Sequence, residues 1–258
     1  MNKFEFVHFE RHAKVGIITL RRPPITALNA DVLNSLELIA IEFIHDPAIR
    51  AIVLTGGDRA FSAGADIREF SSLADERAIR DWITRGHRVI SYIEHSRKPV
   101  VAAIEGYCLG GGLELALGCH LRVAAETAEL GLPEIKLGII PGFGGTQRLP
   151  RLIGRGPATM LMLTGDSITG RRASDLGLVD QLVGKGEALS AASSLADLLS
   201  QRSQTAMASI LELVDEAGGS SPSHSLGLEI DAEVRAIQSD DGHQGIAAFL
   251  EKRAARFI

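Results

Sequence analysis

Apolar and polar positions divide the chain into short strands and amphipathic helices at first, and into helices alone toward its end. Phe4, Phe6 and the segment from Val7 to Phe9 roughly alternate with polar residues, and residues 15–20 (VGIITL) are a β-rich run, so two strands open the chain. Arg21-Arg22-Pro23-Pro24 stops the pattern. Asn29 then reads as the N-cap of a helix carrying Val32, Leu33, Leu36, Ala40 and Phe43 on one face. Residues 51–55 (AIVLT) and 99–104 (PVVAAI) are continuous apolar runs of strand length, as expected of strands buried on both faces. Between them Ile79, Trp82, Ile83, Val89, Ile90 and Ile93 point inward from a second amphipathic helix. A turn at Glu105-Gly106 leads to Gly110, Gly111 and Gly112, and the helix formers Leu113 to Leu117 place these glycines at a helix start. Residues 121–124 read as a strand and 145–153 as a helix. From about Ala188 onward β signals vanish, and 195–199, 210–214, 226–237 and 246–257 all read helical. The pattern predicts an α/β core of β-β-α units over 1–195, followed by a helical region over 196–258.

Composition narrows the function classes. Apolar content of 45% and charged content of 23% are those of an ordinary globular protein. A net charge of −5 argues against a nucleic-acid surface. The most apolar window, around residues 99–118, is interrupted by Glu105 and Glu114, so no membrane span is expected. Residues 1–14 (MNKFEFVHFERHAK) have no apolar core of the kind a secretory signal needs. Cys108 and Cys119 lack metal spacing and read as small buried core residues, so no metal site is expected and the compartment is read as cytoplasmic.

Three segments bear on chemistry. Residues 62–67 (SAGADI) follow a strand and carry small side chains that leave backbone N–H groups accessible to a ligand. The glycines at 110–112 either let a helix pack closely on a sheet or open a helix start to a developing negative charge, with Glu114 one turn away. Residues 130–150 place Glu134 after a proline among Leu130, Leu132, Ile135 and Leu137. There it is either a half-exposed loop acid or a carboxyl whose pKa is raised enough for proton transfer near neutrality. Of the eight histidines only His120 lies in these segments, where a structural role is expected. Trp82, Tyr92 and Tyr107 read as core or interface aromatics.

Taken together and in order, IVLTGGDRAFSAGADI (52–67), residues 98–114, residues 132–149 and the tail around Phe249, Lys252 and Arg253 resemble the crotonase, or enoyl-CoA hydratase/isomerase, superfamily over essentially the full length. The resemblance implies a spiral of β-β-α units and an oxyanion hole made by the backbone N–H groups of Ala65 and Gly111. It implies Glu114 and Glu134 as the catalytic pair of a hydratase, which adds water to a 2-enoyl-CoA thioester. It assigns substrate contacts to Ala27, Ala63, Ala65, Asp66, Ile67, Arg68, Gly111, Pro141 and Gly142. It also places Phe249 and Lys252 over the adenine and its phosphate from a neighbouring subunit of a homotrimer or homohexamer. Coenzyme A enters as part of the substrate, and no separate cofactor is implied. The basic residue that often precedes the Ala-Leu-Asn segment is missing, because Pro24, Ile25 and Thr26 stand before Ala27. Arg21, Arg22 and Arg68 are the candidates to replace it. A Δ3-Δ2 isomerase, a 3-hydroxyacyl-CoA dehydratase and an inactive acyl-CoA-binding protein are the alternatives; retention of both glutamates favours the hydratase.

Overall fold

The structure, a computed structural model, describes residues 4–217, 219 and 222–257. In chain order its first elements are β1 (Val7–His12), β2 (Val15–Leu20), β3 (Ala27–Leu28), α1 (Ala30–His45), β4 (Ala51–Thr55), β5 (Ala60–Ser62), β6 (Gly64–Ala65), α2 (Ile67–Phe70) and α3 (Glu76–Glu94). The chain continues through β7 (Val100–Ile104), β8 (Tyr107–Leu109), α4 (Gly111–Leu117), β9 (Leu121–Ala125), β10 (Glu129–Gly131) and a 3-10 turn (Pro133–Leu137). It closes with α5 (Gly145–Ile153), α6 (Arg155–Thr164), β11 (Ser167–Thr169), α7 (Gly170–Asp175), β12 (Gln181–Val183), α8 (Ala188–Ser200), α9 (Gln204–Glu216), α10 (Pro222–Gln238) and α11 (Asp240–Leu250).

A six-stranded sheet has the order β1-β2-β4-β7-β9-β12, parallel except for the opening β1-β2 hairpin. A four-stranded sheet, β11-β10-β8-β5, and the short parallel pair β3-β6 lie beside it. The apolar runs of β4 and β7 are buried at every position, as expected of strands covered on both faces. Ile52, Leu54, Ala102 and Ile104 join the main core with α1, α3 and α4, while Ala51, Val53, Val101 and Ala103 face the other way. That second face is covered by Ala188, Ala192 and Ala196, one small-residue stripe of α8. The boundary expected after residue 195 therefore falls inside a helix that belongs to the core packing.

Local signals explain the elements next to the site. Asn29 caps α1 by accepting the Val32 N–H at 2.9 Å. Glu105, read from the sequence only as part of a turn, is buried and accepts the N–H groups of Gly186 and Ala188, so it caps α8 across 83 residues of chain. One expectation is corrected. Helix α11 stops at Leu250, and the chain turns at Lys252 in the left-handed region (φ 54°), so residues 246–257 are not one helix. Tyr92 and Tyr107 are exposed on this chain, whereas Trp82 is buried.

Candidate active site

Two backbone amides converge where β6 meets the start of α4. Asp66 N–H donates to Leu28 O at 2.9 Å across the β3-β6 pair. Neighbouring amides of an extended strand point in opposite directions, so the Ala65 N–H faces away from β3. On that side lies Gly111: a methyl group placed on it would sit 3.3 Å from Ala65 N. Likewise a methyl on Gly64 would lie 3.3 Å from Gly111 N. Gly111 is the first residue of α4, so its N–H has no acceptor within the helix, and its cap Gly110 brings no capping side chain. The two amides and the positive end of the helix thus bound one space suited to a negatively charged oxygen.

Glu114 projects from the first turn of α4 and is 2% exposed. Its Oε1 accepts two backbone N–H groups, from Phe143 at 2.8 Å and Gly145 at 2.7 Å. Burial pushes its carboxyl from 4.5 up to about 7; the negative charge of Glu134 adds to the rise, while the amide donors and Arg148 oppose it. Glu134 sits on the 3-10 turn opposite, half-buried, with Oε2 enclosed and without a hydrogen-bond partner among the described residues. Burial raises its proton affinity too. Its carboxylate lies over Gly110, whose backbone has φ 52°; a methyl there would fall 2.7 Å from Glu134 Oε1. Only glycine lets the chain take that conformation and bring the acid so near.

A cavity of about 730 Å³ unites these groups. Ala65, Gly111, Glu114 and Glu134 all line it. Its other wall is apolar, from Ile67, Phe70, Leu73, Ile79, Trp82 and Phe143. The rings of Trp82 and Phe143 pack at a 30° tilt with centroids 4.8 Å apart, and Phe70 meets Trp82 edge-on at 4.6 Å. Ile139, Ile140 and Leu137 form an exposed apolar rim. Two acids, two convergent amides and a long apolar wall suit a substrate with an apolar chain that needs a proton moved beside a carbonyl oxygen.

Comparison with known proteins gives the family. The family description "Enoyl-CoA hydratase/isomerase" matches residues 10–258. The chain belongs to that family. It is 44% identical over 246 residues to a "Probable enoyl-CoA hydratase" of Bacillus subtilis, covering 94% of this chain and 95% of the relative. It is 38% identical to the "Crotonyl-CoA hydratase" of Syntrophomonas wolfei, covering 99% and 98%. The crystal structure of an enoyl-CoA hydratase from Bacillus anthracis superposes with a TM-score of 0.93 at 34% identity, over 98% of this chain and 99% of that one.

Seen as a member of the enoyl-CoA hydratase/isomerase family, the chain brings most of the residues singled out from its sequence to one cavity: Ala63, Ala65, Ile67, Gly111, Glu114, Glu134, Pro141 and Gly142. Ala27 pairs with Gly64 at its edge. Asp66 caps α2 and is held by Arg22, whose Nη2 donates to Asp66 Oδ2 at 2.7 Å and whose Nη1 donates to Ala27 O at 3.2 Å. Arg22 is therefore committed to bracing β3 against α2, which leaves Arg21 and Arg68, both exposed, as the cations facing solvent. Phe249 is 82% exposed and Lys252 is exposed; neither lines the cavity of its own chain. Sequence reasoning missed Phe143, Glu69 and Arg148. Phe143 supplies a donor through its main chain, which residue type does not reveal, and the other two act through partners 13 and 54 residues away.

Proposed function

We propose that Glu114 and Glu134 hold one water between them while the N–H groups of Ala65 and Gly111 bind the thioester oxygen of a 2-enoyl-CoA. The reaction is the addition of that water across the C2–C3 double bond, giving the 3-hydroxyacyl-CoA. The observation that carries the reading is the meeting of both acids and both amides in one cavity. As the water oxygen adds to C3, electron density moves through the double bond onto the thioester oxygen. The paired amides stabilise that enolate more than the ground-state carbonyl, which lowers the barrier. One carboxylate takes the water proton, and the other, which we assign as Glu134, delivers a proton to C2 from the same face, giving syn addition. Like charges in one low-dielectric site favour a pair that shares a single proton, so one member donates while the other accepts.

The chemistry uses only groups of the chain, with coenzyme A arriving on the substrate. We infer a homotrimer or homohexamer in which Phe249 and Lys252 cover the adenine end of a neighbour's substrate. Support comes from the exposed apolar residues Ile210, Val214, Leu226, Ile230, Val234 and Ile237 on α9 and α10. We place the protein in the cytoplasm; the two free, buried thiols suit a reducing compartment, and no described helix is long and apolar enough to cross a membrane.

The test is hydration of crotonyl-CoA by the wild type, Glu114→Gln and Glu134→Gln, with a 3-enoyl-CoA as a second substrate. Each variant should lose about 100-fold or more in kcat. Near-wild-type turnover by either variant refutes the paired-acid mechanism, and turnover confined to the 3-enoyl thioester makes the enzyme an isomerase.

A further inference from the structure

We propose that Arg148 is a positioning residue that fixes Glu114 through the main chain of Phe143, and that Glu94 holds Arg148 in the orientation this needs. The inference rests on the role given to Glu114 above. Arg148 lies on α5 and its side chain is only 11% exposed. Its Nε and Nη2 donate to the two oxygens of Glu94 at 2.8 and 2.6 Å, a paired fork. Its remaining arm, Nη1, donates to Phe143 O at 2.8 Å. The N–H of that same residue donates to Glu114 Oε1, and so does the N–H of Gly145. One guanidinium therefore anchors the carbonyl side of a three-residue loop whose amide side grips the acid.

The loop is built around the guanidinium. Gly144 lies between the two donor residues at φ 105°, and a methyl group on it would fall 2.1 Å from Arg148 Nη1. Arg148 and Glu94 face a separate cavity, lined also by Leu117, Cys119, Met207 and Leu211, and neither lines the one that holds both acids. Arg148 thus acts on Glu114 without touching substrate. A lysine could not replace it, because a single ammonium cannot make three bonds in one plane to two partners. Glu134 and Arg148 act on Glu114, His87 on α3 lies beside Arg148, and Arg151, His95, His120 and Asp215 surround Glu94. The positive charge of Arg148 favours ionised Glu114, and the negative charge of Glu134 opposes it.

The experiment uses the full chain and crotonyl-CoA. Arg148→Lys, Arg148→Met and Glu94→Gln are compared with Arg88→Lys, which loosens an Arg–Glu fork between α3 and Glu37 of α1, away from both cavities. All three clamp variants should lose about tenfold or more in kcat with KM within about twofold, while Arg88→Lys matches the wild type. Titration of the Glu114 carboxyl by NMR, identified by its absence in Glu114→Gln, should move to higher pH in Arg148→Met. A kcat within twofold of wild type in Arg148→Lys and Glu94→Gln overturns the proposal, as does an unmoved Glu114 titration in Arg148→Met. If Arg148→Met does not fold, Glu94→Gln decides alone: it keeps the arginine charge and loosens only the fork. A wild type inert toward crotonyl-CoA counts against the hydratase reading, and the NMR titration then still decides the role of Arg148.

Discussion

The indole N–H of Trp82 donates to Glu69 Oε2 at 2.8 Å, and the same carboxylate accepts the Ala30 N–H at 3.0 Å. Glu69 thereby ties the first turn of α1 to the aromatic wall of the cavity. In Glu69→Ala two donors lose their acceptor, each at about 1–3 kcal/mol where burial is complete and less here at a half-buried site. We expect the melting temperature to fall by about 3–8 °C. The tryptophan fluorescence should report a looser indole before any loss of crotonyl-CoA hydration. An unchanged melt would mean that water satisfies both donors.

Stability and activity should respond to pH through Glu114. Its folded carboxyl binds a proton more tightly than an ordinary one, at about 7 against 4.5. The stabilisation this represents is full below about 4.5 and is lost as pH rises through 7, because the folded site then carries an unfavourable buried charge. Urea unfolding at pH 5 and pH 8 should show this loss in the wild type and a flatter profile in Glu114→Gln. The kcat/KM profile should carry a limb near neutrality belonging to the glutamate pair.

A methyl group at position 111 should harm catalysis more than folding. In Gly111→Ala it would sit 3.2 Å from the Phe143 ring and 3.3 Å from Ala65 N, inside the space assigned to the thioester oxygen. We expect about 10–100-fold loss of kcat/KM on crotonyl-CoA with a small shift in melting temperature. Full activity in this variant would remove the oxyanion assignment.

Arg122 offers a test of the scaffold away from the site. It is buried, and its side chain donates to Cys119 O at 2.7 Å, Leu178 O at 2.8 Å and Asp180 Oδ2 at 3.0 Å. Arg122→Met strips three acceptors at once and should cost about 3–5 kcal/mol by urea titration. Cys119 nearby, with its thiol pushed up to about 12 by burial, and Cys108, pushed up for the same reason, should resist alkylation until the protein unfolds.

What the sequence makes legible follows from the range of the forces involved. Strands β4 and β7, the Asn29 cap and the glycine start of α4 are visible because periodicity and capping act over a few residues. The acids at 114 and 134 are visible through flanking motifs. The fork of Arg148 onto Glu94, the hold of Glu69 on Trp82 and the cap that Glu105 places on α8 are not, because each joins residues whose nearness only the folded sheets create. The stop of α11 at Leu250 escaped for another reason: apolar spacing persists through Phe257 although the backbone reverses at Lys252.

Phe143 has two duties, its ring forming part of the cavity's apolar wall and its amide steadying Glu114. Substrate range and turnover are consequently locked together at that position. Anyone redesigning the enzyme for bulkier acyl groups should carve at Leu73 or Ile79, which line the same wall but make no hydrogen bond to either acid.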